Sequence, residues 1–253
     1  MSGPADPSHP EVERLHAFPG EAAACAALRP LAPEEAWSGL PTERLELISR
    51  GDLVPGLLAR TPRPTAKRGG AKPALLLAVH DAGDSVRSSD VLAAASWVGP
   101  ELAVVAIDLP LHGHRASPKL TERLVAGLTR RERGGALDRN GAVLVEEFWR
   151  QATIDLMRTL DALLALDALD PKRIGLLGVG LGAALGQTLM AHDPRPSAAV
   201  LVQPASSPAA SAQTQGSSPR PAAAPEILTL EREVGPEIWA PRARAFLASR
   251  LGF

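Results

Sequence analysis

The chain has 253 residues, with 27 Lys and Arg against 28 Asp and Glu, for a net charge of −1. The length suits one large α/β domain, and the balanced charge excludes the broad positive field that draws a protein to nucleic acid or an anionic membrane. A single cysteine, Cys25, excludes an intrachain disulfide framework; with no basic-then-apolar start and no apolar run approaching ~20 residues, the chain reads as soluble and cytoplasmic.

In chain order, residues 1–41 are rich in Pro and Ala and read as a lead-in, with a short helix near Ala22–Leu28 and a closing turn at Ser38-Gly39-Leu40-Pro41. The domain proper is expected over 42–253. Leu45–Ser49 and Val54–Ala59 flank Arg50-Gly51-Asp52 at a spacing that suits a hairpin. Residues 61–73 form a basic connection punctuated by Pro and Gly, whose charges are read as solvated.

Four short apolar runs follow: Ala74–Val79, Leu102–Ile107, Ile174–Leu177 and Ala198–Val202. Each has the form of a strand covered on both faces. With aromatics at 3% and no Tyr, the core must be built from Leu, Val, Ile and Ala. Helices are expected near Asp90–Trp97, Ala142–Leu166 and Gly182–Ala191. In the longest, Val145, Phe148, Ala152, Leu156, Leu160 and Leu163 recur at helical spacing, while Glu146, Arg150, Asp155, Arg158 and Asp161 lie off that stripe. Alternating strands and helices imply a mostly parallel, doubly wound sheet. Ligands of such sheets sit at the carboxyl ends of the strands, so the residues after Val79, Ile107, Leu177 and Val202 carry the information about function.

Residues 204–225 are of another composition: 17 of 22 are Pro, Ala or Ser and none is acidic. That composition predicts a disordered loop or linker. Glu226–Leu230 reads as a last strand and Pro236–Leu251 as a C-terminal helix.

Three segments carry the candidate chemistry. Val79-His80-Asp81-Ala82-Gly83 follows the first of the four apolar runs, and after the second the chain reads Asp108-Leu-Pro110-Leu-His112-Gly113-His114-Arg115. Gly178-Val-Gly180-Leu-Gly182-Ala183 stands where a strand turns sharply into a helix. In this order the set resembles the α/β-hydrolase superfamily, closest to its dienelactone-hydrolase-like and prolyl-oligopeptidase-like esterases, over roughly residues 42–203 and the C-terminal helix.

The resemblance implies a Gly-x-Ser-x-Gly nucleophile elbow, yet Gly180 occupies the Ser position and no Ser occurs from residue 118 to 196. Between Val202 and Glu226 there is no Asp or Glu to serve as the acid, and the last histidine is His192, ahead of the strand at Ala198. A serine hydrolase needs a neutral imidazole to take the nucleophile's proton, and none follows. One late strand with its helix is also missing, replaced by the 204–225 tract. At the oxyanion turn the usual Gly is Asp81, whose carboxylate opposes the charge such a turn stabilises.

No catalytic residue is therefore assigned. His80, Asp81, Ala82 and Leu181 are candidates for the oxyanion turn or for binding, the Leu181 N–H being a remaining donor. Asp108, His112 and His114 are loop-structuring residues or alternative bases, and His114 and Arg115 are read as solvated. Neither metal nor cofactor is expected, although His80, Asp108, His112 and His114 are set to cluster. The leading reading is a non-catalytic member of the fold, either a small-molecule binder or a degenerate gene product, without nucleic acid or membrane and with the oligomeric state left open. Two alternatives remain: a carboxylic-ester hydrolase using His80 or His112 to activate water, and a dinucleotide-binding protein. The second follows from Gly178, Gly180 and Ala183, which satisfy G-x-G-x-x-G/A.

Overall fold

The computed structural model describes residues 26–37, 39–62, 71–203, 225–232 and 235–253. Eight strands form one sheet: β1 (Ala26–Pro30), β2 (Thr42–Ser49), β3 (Asp52–Ala59), β4 (Ala74–Val79), β5 (Leu102–Ile107), β6 (Ile174–Val179), β7 (Ala198–Gln203) and β8 (Glu226–Glu231). Their order across the sheet is β1-β2-β3-β5-β4-β6-β7-β8. The pairs from β5 through β4, β6 and β7 to β8 are parallel, and β1, β2 and β3 join antiparallel at one edge. β2 and β3 form the expected hairpin, turning at Arg50 and Gly51, both at positive φ, as a two-residue turn matched to strand twist requires.

Described helices are α1 (Ser89–Ala95), α2 (Pro118–Glu132), α3 (Arg139–Leu164), α4 (Leu181–His192) and α5 (Pro236–Leu251), with a 3₁₀ turn at Gly113–Arg115. They cover both faces of the sheet. Leu75, Leu77, Val105 and Leu176 pack with Leu124, Phe148, Leu156 and Leu185 of α2, α3 and α4. The alternate residues Leu76, Val104, Leu177 and Val200 pack with Val91 of α1 and Trp239, Ala243 and Leu247 of α5. Because neighbouring residues of a strand face opposite ways, a strand between two helical layers must be apolar throughout, and every residue of β4 to β7 is buried.

Several details differ from the sequence reading. Ala26–Leu28 are strand rather than helix, and pair with Leu45–Leu47; Ala22–Cys25 lie outside the described residues. The described part of the lead-in is built into the domain, since fully buried Trp37 donates its indole N–H to the Val86 carbonyl at 2.9 Å. Helix α2 was not expected; its start is marked by Ser117 and by Pro118 in the first helical turn, the position proline favours. Asp155, placed off the buried stripe, is fully buried, and Arg115, read as solvated, reaches it at 2.7 Å with a side chain only 11% exposed. A 26-residue helix pressed against a twisted sheet also meets the loop after β5, which the apolar stripe does not register. Among the described residues a single strand follows β7. The tract read as a disordered loop lies outside them except for Pro225.

Candidate functional site

The carboxyl ends of β4, β5, β6, β7 and β8 bring together the loops singled out above. At the end of β6 the chain turns through Gly180 at φ 56°, ψ −115° and enters α4 at Leu181. The turn is held close to its neighbours. A Cβ on Gly182 would lie within 2.8 Å of the carbonyl oxygens of both Val79 and His80, and one on Gly178 would press into the backbone of Gly182 and Ala183. These two glycines are therefore required by helix-to-strand packing, which accounts for Gly178, the first position of the G-x-G-x-x-G/A pattern, without a nucleotide.

Asp81 occupies the centre of the site. Its Oδ1 accepts hydrogen bonds from the backbone N–H of Leu181 and from that of Ala82, each at 2.7 Å. One donor follows the elbow residue and the other comes from the loop after β4, the two positions from which this kind of elbow builds an oxyanion hole. The carboxylate thus takes both of these N–H groups. Asp81 Oδ2 is ion-paired with Arg232, the residue after β8, which also reaches Asp90 Oδ2 at 3.5 Å. Burial alone would pull the Arg232 pKa down, but Asp81 and Asp90 outweigh it and raise the pKa. Burial pushes the Asp84 and Asp90 carboxyls up, and Asp81 adds to both shifts.

The alternative bases are spent on structure. His80, fully buried, donates its Nδ1–H to the Asp81 carbonyl at 2.8 Å and accepts the Leu109 N–H on Nε2 at 3.2 Å. Burial holds its pKa down to about 4, so the ring is neutral at pH 7 with both nitrogens engaged. His112 lies 5.3 Å from it between ring centroids, donates Nδ1–H to the Pro110 carbonyl at 2.7 Å, and is also lowered in pKa by burial. Its Nε2 is buried and has no partner among the described residues. Asp108 is a staple: Oδ1 accepts the Val86 N–H at 3.0 Å, while Oδ2 accepts the His114 N–H at 2.9 Å and its Nδ1–H at 2.8 Å. His80, Asp108, His112 and His114 do approach one another, yet no group of three or more His, Cys, Asp or Glu among the described residues is arranged to hold a metal ion.

Beside the elbow lies a cavity of about 370 Å³ lined by Asp81, Gly180, Leu181, Leu128, Trp149 and Gln203, among others. A larger one, about 660 Å³, lies at the opposite, amino ends of the strands, between Pro30, Pro41, Pro73 and Pro100. The smaller cavity is at the strand ends where sheets of this kind bind ligands, and of the two it is the one that touches the elbow.

Solved structures of one fold superpose on the chain. A cold-adapted esterase from an Arctic intertidal metagenomic library superposes with a TM-score of 0.58 at 18% identity, covering 84% of this chain and 94% of that one. The chain has the α/β-hydrolase fold. A Klebsiella pneumoniae subsp. pneumoniae MGH 78578 protein assigned to the dienelactone hydrolases gives 0.51 at 14% identity over 91% of this chain and 99% of its own. An acetyl xylan esterase from Paenibacillus sp. R4 also gives 0.51, at 16% identity over 76% of this chain, which spans only 56% of that enzyme's length. No family model matches the sequence, and no curated protein matches it.

Arg232 and Gln203 are the members of the site that sequence reasoning passed over. Both stand directly after or at the end of a strand, so the strand-end rule was signal enough. Leu128 and Trp149 come from α2 and α3 and had no local signal.

Proposed function

We propose that this α/β-hydrolase-fold protein binds a small organic molecule at the elbow cavity and does not act as a serine hydrolase. One observation carries the reading: the Asp81 carboxylate takes the N–H groups of Leu181 and Ala82 that covalent ester hydrolysis would need free for the developing oxyanion. Gly180 supplies no nucleophile, and neither ring nitrogen of His80 is available as a base. The same carboxylate argues against a dinucleotide, whose pyrophosphate would have to take its place at the start of α4. The test is exposure of purified protein to a fluorophosphonate probe and to p-nitrophenyl acetate and butyrate. Neither labelling nor turnover is expected. Covalent labelling, or turnover of about 1 s⁻¹ or more, refutes the reading.

A further inference from the structure

Gln203 closes β7 and lines the elbow cavity, and both atoms of its side-chain amide are buried. The residue is 3% exposed, and neither its Oε1 nor its Nε2 meets a partner among the described residues. A buried primary amide left unsatisfied on both atoms is an unfavourable arrangement that a matching ligand relieves. The complement of a primary amide is a group with a donor and an acceptor side by side. Carboxamides, lactams and carboxylic acids all offer that edge.

Charge separates these classes. Among the described residues, Asp81, Asp84 and Asp90 gather around Arg232, and the exposed Arg131 and Glu132, which also line the cavity, offset each other. An anion entering the cavity would approach the Asp81 carboxylate, in surroundings too poor in cations to repay its lost hydration. A neutral ligand meets no such opposition. The walls formed by Leu128, Trp149 and Ala184 suit an apolar body with few polar groups.

We propose that the elbow cavity binds a small neutral carboxamide or lactam, its amide edge paired with Gln203 and its apolar body against Leu128 and Trp149. The proposal rests on the reading that this cavity holds a ligand rather than a substrate for serine-type hydrolysis. It reverses the electrostatics of the fold's hydrolytic use, in which the same place must welcome a negative charge.

Benzamide and benzoate, which differ in charge but little in shape, test it by calorimetry and ligand-observed NMR on the full chain. Benzamide is expected to bind with Kd on the order of 1 mM, typical of a well-seated fragment of its size, and benzoate at least about tenfold more weakly. Gln203→Leu and the isosteric Gln203→Met should each weaken benzamide about tenfold or more. Neither variant should lower the melting temperature, because each removes an unsatisfied amide, and the Met variant keeps the volume. Benzoate binding as tightly as benzamide, absence of saturable benzamide binding, or binding unchanged in both variants overturns the proposal. Measuring p-nitrophenyl acetate turnover on the same preparation separates the two readings. Turnover with Gln203-dependent benzamide binding refutes only the non-catalytic reading, whereas no turnover with benzoate preferred refutes only the amide site.

Discussion

Replacing Gly180 by Ser restores the elbow motif in sequence, and the structure shows what the change meets. A Cβ at this position would lie within 2.5 Å of both carboxylate oxygens of Asp81, so the carboxylate must leave. It would give up the N–H groups of Leu181 and Ala82 and its ion pair with Arg232. Strain from a side chain at φ 56° is worth about 1–2 kcal/mol. Two hydrogen bonds to a charged acceptor are worth ~1.5–3 kcal/mol each, of which roughly half returns when the displaced carboxylate is rehydrated. Gly180→Ser should therefore destabilise by about 3–5 kcal/mol, several degrees in melting temperature. In an Asp81→Ala background the clash is gone, and the same substitution should cost only the strain, about 1–2 kcal/mol. The assay is a double-mutant cycle by urea denaturation, with circular dichroism confirming that all four proteins fold. The expected coupling is about 2–3 kcal/mol. Additivity within about 0.5 kcal/mol would show that Asp81 does not occupy the space above Gly180, and the account of a filled oxyanion position would fail with it. No member of the cycle should hydrolyse esters, since none gains a base.

Three further outcomes follow from the buried groups. Because the His80 pKa falls from 6.5 unfolded to about 4 folded, the unfolded chain binds the extra proton as pH drops through that window. Stability should fall by about 2 kcal/mol between pH 7 and pH 5; the lowered His112 adds to the loss, while the raised carboxyls of Asp84, Asp90 and Asp155 offset it toward the acid end. Denaturant midpoints that do not move across that range would contradict the assignment. Arg115→Met strands the fully buried Asp155 carboxyl and should cost about 3–5 kcal/mol at pH 7, whereas Arg115→Met with Asp155→Leu should cost far less; equal losses in thermal melts would place the pair's energy elsewhere. Gly182→Ala drives a Cβ into the backbone of Val79 and His80 and should destabilise by more than about 3 kcal/mol, seen as loss of cooperative unfolding, while a variant as stable as the parent would deny the close approach.

Much of the architecture is written in local sequence. The uninterrupted apolar runs of β4 to β7 announce strands covered on both sides, the Arg50-Gly51 turn announces its hairpin, and Pro236–Leu251 is helical over the span its apolar spacing marks. Those signals are local because strand and helix periodicity is a property of consecutive residues. The absence of a Ser at the elbow and of any histidine after His192 is likewise a fact of sequence. What fills the vacated chemistry is not. Asp81 and Leu181 are 100 residues apart, and Asp81 and Arg232 are 151 apart. Their meeting depends on β4, β6 and β8 ending on the same side of one sheet. The sequence marks Asp81 as a charge hostile to an oxyanion hole; the fold turns it into the acceptor of the Leu181 and Ala82 N–H groups. The burial of Asp155 against Arg115 and that of the Gln203 amide are of the same kind. A side chain's solvation is set by whatever the remainder of the chain packs around it, and no periodicity along the sequence encodes that.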